Sequence, residues 1–290
     1  MSDTPLGWSD ALAQLQRDGE PHVLVSLVAC AGSTPREPGA KMVVALERHY
    51  DTLGGGRFEQ QLIESARALL ARGQPDIQLE RFALGARAQQ CCGGHLAALL
   101  ECYPGAELRL ALFGAGHVGI ALERLVRELP WRLDWFDSRR AAREAASLDH
   151  GPRTRVHQSF DTEAAARLVP GSHCLVMTHD HLEDERLIEA LLARDDLASI
   201  GLIGSKTKWS RFRHRLAARG FDDARLDQVR CPIGAACAGR KRPAEIALAV
   251  AAELLAMAPA RPMQTRRGLD GASLELLEAS PPPTDQDTDR

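Results

Sequence analysis

No stretch of this chain approaches the roughly 20 consecutive apolar residues that a membrane-spanning helix needs. The opening MSDTPLGWSDALAQLQRDGE carries acidic side chains where a secretory signal would hold its apolar core, so a cytoplasmic protein with no membrane partner is expected. An excess of charge is missing too. With 36 Lys and Arg against 39 Asp and Glu, the formal net charge is −3, which offers no electrostatic attraction to nucleic acid. Nor is there a disulfide framework: the seven cysteines, at 30, 91, 92, 102, 174, 231 and 237, are odd in number and scattered, as suits a reducing compartment. Internal repeats are absent. The gap between Cys231 and Cys237 does not match a zinc knuckle, and Gly204-Ser205-Lys206 lacks the spacing of a Walker loop.

What is present is a globular composition, 44% hydrophobic and 26% charged over 290 residues, with room for two domains. In the first, an amphipathic helix over 8–17 leads into a buried strand, HVLVSLVAC, then a turn-rich stretch, AGSTPREPGA, and a second strand, KMVVAL. The glycine run LGGG precedes a helix that Gly73 stops, and HLAALLECY forms the last strand before Pro104. From Leu108 the texture changes to short apolar runs alternating with helical segments, which predicts a parallel sheet with helices on both faces. The fold class is therefore α/β, with a small N-terminal α/β domain over 1–104 and a Rossmann-like, doubly wound domain over 105–262. The proline-rich and acidic residues 263–290 read as a disordered tail.

Five segments carry chemistry. Gly114-x-Gly116-x-x-Gly119 follows a predicted strand and opens a helix, the context in which backbone amides hold a phosphate. Asp137, at the end of the next strand, stands where a dinucleotide site places its ribose-binding acid, and as a crevice-facing carboxylate it is expected to have few packing duties. His179, Asp180 and His181 follow a third strand at the sheet edge where ligands bind, although Asp180 and Glu183 equally suit the cap of the following helix. Gly204, Ser205 and Lys206 form a second candidate anion turn. After them Lys208, Arg211, Arg213 and Arg215 read as a solvated helix face or, more sharply, a protein-docking face. Cys231 is either a structural thiol or part of the crevice wall.

The fifth segment is QQCCGG. Adjacent cysteines are too close for an ordinary disulfide, so Cys91 and Cys92 read as two thiols, with Gly93 and Gly94 suited to a loop shaped around a ligand. Three function classes are open on these residues: a cofactor-binding protein, an NAD(P)-dependent oxidoreductase using the glycine turn and Asp137, and a zinc hydrolase using His179 and His181.

In this order, from about residue 23 to 256, GSTPREPGAKMVV, LGGGRFE, QCCGG, LLE, LFGAGHVGIAL, FDSR, VMTHDH, IGLIGSKTKWSRFRHRL, CPIG and RPAEIALAVAAELL resemble the xanthine dehydrogenase accessory proteins of the XdhC type. The resemblance implies a chaperone, not an enzyme of metabolism. It implies a homodimer that binds the molybdenum cofactor in its molybdopterin form, protects it while a cysteine desulfurase supplies its terminal sulfur, and delivers it to xanthine dehydrogenase. Under it, Cys91 and Cys92 serve as soft ligands to molybdenum or as transient sulfur carriers. Gly93, Gly94 and Gly54, Gly55 and Gly56 let the pterin approach the backbone, and the turns at Gly114–Gly119 and Gly204–Lys206 take its phosphate or nucleotide end.

Overall fold

The computed structural model describes residues 6–83, 94–157, 162–235, 241–259, 268–269 and 271, and Cys91, Cys92, Gly93 and Cys237 lie outside them. The described residues group into two compact units, one formed by residues 106–260 and the other by residues up to 105 together with 268–269 and 271. No helix among them is long and apolar enough to cross a membrane.

The N-terminal unit runs α1 (Trp8–Asp18), β1 (His22–Ala31), β2 (Lys41–Ala45), β3 (His49–Tyr50), α2 (Gly56–Ala71), β4 (Asp76–Ala83) and β5 (His95–Tyr103). Its strands pair antiparallel in the order β3-β2-β1-β5-β4. Helix α2 packs Phe58, Leu62, Ala66 and Leu69 on one face of the sheet, against Val23, Val25, Met42, Val44 and Leu100. Helix α1 covers part of the other face, where Leu15 meets Leu24, Val43 and Ala45. Both parities of β1 are thus buried, which is why HVLVSL reads as a continuous apolar run instead of an alternating one. Strand β4 was not among the predicted strands. It is an edge strand, only half-buried and interrupted by Glu80 and Arg81, so it has no apolar run to announce it.

The C-terminal unit runs β6 (Leu108–Phe113), α3 (His117–Val126), β7 (Trp131–Phe136), α4 (Arg140–Leu148), β8 (Thr154–Val156), α5 (Thr162–Ala166), β9 (His173–Val176), α6 (His181–Leu192), β10 (Ser199–Leu202), α7 (Lys206–Ala218), α8 (Asp223–Leu226), β11 (Val229–Arg230) and α9 (Pro243–Met257). The six strands are parallel, in the order β11-β10-β9-β6-β7-β8. Alternate residues of each strand feed two cores. Phe113, Val176 and Leu202 meet α6 and α7 on one face, and Leu112, Trp135 and Leu175 meet α3 and α9 on the other. The strand order reverses between β6 and β9, so the carboxyl ends of these two strands open the crevice in which doubly wound sheets hold ligands.

Candidate functional site

At that crevice the glycine turn is tight for a steric reason. Gly114 has φ +125°, and a Cβ there would lie 2.2 Å from the carbonyl oxygen of Met177; a Cβ on Gly119 would lie 2.4 Å from the carbonyl oxygen of Gly114. The helix therefore seats directly on the turn, and the Trp135 indole Nε1 donates to the Gly114 carbonyl at 3.0 Å to hold it there. At Gly116, by contrast, a Cβ would meet nothing within 4 Å. Here, at the N-terminus of α3, the backbone faces open space, and the first turn of the helix carries no acidic residue.

Asp137 departs from the expectation of few packing duties. It is only 2% exposed. Its Oδ2 accepts from the Ala115 amide at 2.6 Å and from Arg139 at 2.8 Å, while its Oδ1 accepts from the Arg139 amide at 2.8 Å and its Nε at 2.9 Å. Burial pushes the carboxyl up, but Arg139 and the two amides outweigh it and hold Asp137 below the usual carboxylate range. Both oxygens are committed to the chain itself. Arg139, whose side chain is 40% exposed, and Arg143, which donates to the carbonyls of Asp137 and Ser138, bring positive charge to the same edge. Neither arginine was singled out in the sequence; the FDSR stretch holds Arg139, and Arg143 lies beyond it.

Asp180 takes the capping role: its Oδ1 accepts from the amides of Leu182 at 2.6 Å and Glu183 at 3.0 Å. His179 and His181 are exposed, with His179 Nδ1 3.7 Å from Glu183. Glu183 also accepts from Ser138 Oγ at 3.0 Å. Among the described residues no three His, Cys, Asp or Glu side chains converge to hold a metal ion, which leaves the two histidines without further zinc ligands.

The basic stretch after Gly204 requires a correction. Lys208 does not lie on a solvated face: only 11% exposed, it donates to Asp184 at 2.5 Å and to the Ile203 carbonyl at 3.0 Å. Asp184, fully buried, also accepts from Thr178 Oγ1 at 2.8 Å. Arg213 is paired with Asp223 and Asp227, and Arg215 with Glu185, so the face carries less free charge than its sequence suggested. Gly204 is needed because a Cβ would strike the Lys208 stem, and the Ser205 hydroxyl caps α7 through the Lys208 amide at 3.1 Å. Lys206 is exposed. Cys231 sits near this cluster with its thiol 3.8 Å from the Ser205 carbonyl; burial pushes its pKa up to about 11, which keeps it protonated at neutral pH.

In the N-terminal unit, the Glu59 carboxylate closes the turn formed by Gly54, Gly55 and Gly56. Its Oε2 accepts from Thr52 Oγ1 at 2.6 Å and from the amides of Leu53 at 2.7 Å and Gly55 at 3.0 Å. A Cβ on Gly54 would lie 2.5 Å from Pro35. Gly94 is buried against the loop after β1, where a Cβ would lie 2.5 Å from the carbonyl oxygens of both Ala31 and Ser33. At both of these glycines the room is taken by the chain itself.

A family model described as "XdhC Rossmann domain" matches residues 110–254, and another, described as "XdhC and CoxI family", matches residues 15–83. The chain is 29% identical over 249 residues to the uncharacterized protein YqeB of Escherichia coli (strain K12), a match covering 84% of this chain and 44% of that protein. It thus spans less than half the length of that relative. Among solved structures, one described as a xanthine dehydrogenase from Bacillus halodurans shares 18% identity with a TM-score of 0.45, covering 90% of this chain and 98% of that one.

Proposed function

The chain belongs to the XdhC family, and from that premise we propose that it serves the maturation of xanthine dehydrogenase, carrying the molybdenum cofactor as cargo. In this reading the protein shields the cofactor while a cysteine desulfurase provides its sulfur ligand, then passes it to the client, working as a homodimer. The observation that supports it is the open backbone at Gly116 beside Arg139, which suits the phosphate or nucleotide end of the cargo. Cys91 and Cys92 are assigned to the molybdenum end on their chemistry alone. The Cys231 thiol, with its raised pKa, is a poorer candidate for carrying sulfur.

An NAD(P)-dependent oxidoreductase fits less well. A ribose would have to compete with Arg139 and the Ala115 amide for Asp137. The decisive experiment purifies the protein from cells that make the cofactor, measures released pterin and molybdenum per chain, and reconstitutes cofactor-free xanthine dehydrogenase. Bound pterin and recovered client activity, both lost in Cys91→Ala or Cys92→Ala, are expected. Nicotinamide binding with substrate-dependent hydride transfer, and no pterin, would overturn the reading.

A further inference from the structure

We propose that the N-terminal unit holds a second binding site, for a flat, fused-ring heteroaromatic anion, in the cavity where the ends of β1, β4 and β5 meet. The argument begins with register. The pairing of β1 with β5 shifts between Leu27 and Ala29, so that Ala29 lies opposite Ala97 and Ala31 opposite His95. On the far side of β5, Ala97 pairs with Arg81 and His95 with Ala83. Cross-strand partners share a face, so two adjacent rows read Ala29-Ala97-Arg81 and Ala31-His95-Ala83. Four of these six side chains are single methyl groups. Three strands spaced about 4.8 Å apart then form a shelf about 10 Å wide, with a guanidinium and an imidazole side chain at its rim.

These six residues line a cavity of about 740 Å³, within the range of about 300–1,000 Å³ typical of small-molecule sites. Its wall is fixed, because the Gly94 amide donates to the Ser33 carbonyl at 3.2 Å and ties the loop after β1 to the start of β5. No carboxylate stands among its described lining residues, and Arg81 and His95 are both exposed. A shelf of methyl groups favours an aromatic plane. An arginine at its edge favours a ring carbonyl or carboxylate, which it can grip in two-pronged fashion. Naming the ring as the pterin of the cargo rests on the proposed function; the site itself rests on the sheet.

The test titrates the full chain with 6-carboxypterin and follows the quenching of its fluorescence, with thermal unfolding as the fold control. The wild-type protein is expected to bind, Arg81→Ala to bind about tenfold more weakly through loss of a charge-assisted hydrogen bond, and Ala29→Leu to block binding by filling the shelf. Arg81 is exposed, so its variant keeps the test informative even if Ala29→Leu unfolds. A wild-type chain that ignores 6-carboxypterin, or an Arg81→Ala variant that binds it equally well, overturns the site. Client reconstitution separates the two readings. If it requires the protein but is indifferent to both variants, the shelf is wrong and the maturation role stands; if pterin binding follows the variants while the client ignores the protein, the reverse holds.

Discussion

Each unit starts a helix from a glycine-containing turn, and each satisfies amides of that turn with a carboxylate of its own, but the two carboxylates come from different distances along the chain. In the N-terminal unit Glu59 belongs to the helix it closes, four residues beyond Gly55. In the C-terminal unit Asp137 comes from the neighbouring strand, 22 residues from Ala115, and arrives with Arg139 attached. The first turn is closed by a negative charge for which no cation partner is seen among the described residues. The second is closed by an ion pair whose arginine remains 40% exposed. An incoming phosphate would meet repulsion at the first turn, while at the second it would find open backbone at Gly116 and a guanidinium able to exchange one anion for another. Similar glycine-containing turns therefore differ in their fitness for an anion, and the difference lies in the residue that closes each.

The strongest challenge to this comparison is Gly114→Ala. Its Cβ would collide with backbone and its φ is positive, so a loss of about 3–5 kcal/mol is expected in chemical unfolding followed by the fluorescence of Trp131 and Trp135. A loss below about 1 kcal/mol would mean the turn is looser than described.

Next is Asp137→Ala, expected to cost about 2–3 kcal/mol because it orphans the buried Ala115 amide, while Arg139 can turn to solvent. Unchanged stability would restore the carboxylate to the role of a free ligand group. Glu59→Ala should cost about 1–2 kcal/mol, seen as faster hydrogen exchange at Leu53 and Gly55, with the C-terminal unit untouched.

A smaller effect is expected from acid. Burial raises the Asp134 and Asp137 carboxyls, but the hydrogen bond from His157 with the charge of Arg132 at the first, and Arg139 with two backbone amides at the second, win and hold both below the usual range; Arg215 does the same for Glu185. Carboxyls lowered in the folded state add stability above the ordinary value of about 4 and lose it as pH falls through the folded value. The C-terminal unit should therefore unfold more easily from about pH 4 downwards, and Asp137→Asn should flatten that slope. Smallest of all is Gly116→Ala, where a methyl meets open space: a change within about 0.5 kcal/mol is expected, together with weaker binding if the cargo's phosphate lies there.

How much of this was legible depends on how far apart the interacting residues lie. The strand predicted as HLAALLECY is β5 to the residue, and the helix predicted over 8–17 is α1 with one residue added, because each carries its own periodicity. Strand β4 was missed because a half-buried edge gives a weak pattern. Lys208 was misread because its partner, Asp184, is 24 residues away and the surrounding KTKWSRFRHR looks like a solvated basic face until α6 is laid against it. The duty of Asp137 escaped for the same reason.

By itself, then, the sequence determined what is local: the apolar periods that make a parallel α/β unit, the glycines that permit a turn where a side chain would strike backbone, and the paired thiols. Tertiary structure decided which charges are spent and which remain. Folding brings Asp137 onto the Ala115 amide, sinks Lys208 beside Asp184, and lines up the alanines of β1, β4 and β5 with Arg81 and His95. The physical reason is that an ionisable group or a methyl group acquires its function from what faces it, and in a sheet that neighbour is chosen by strand order and register.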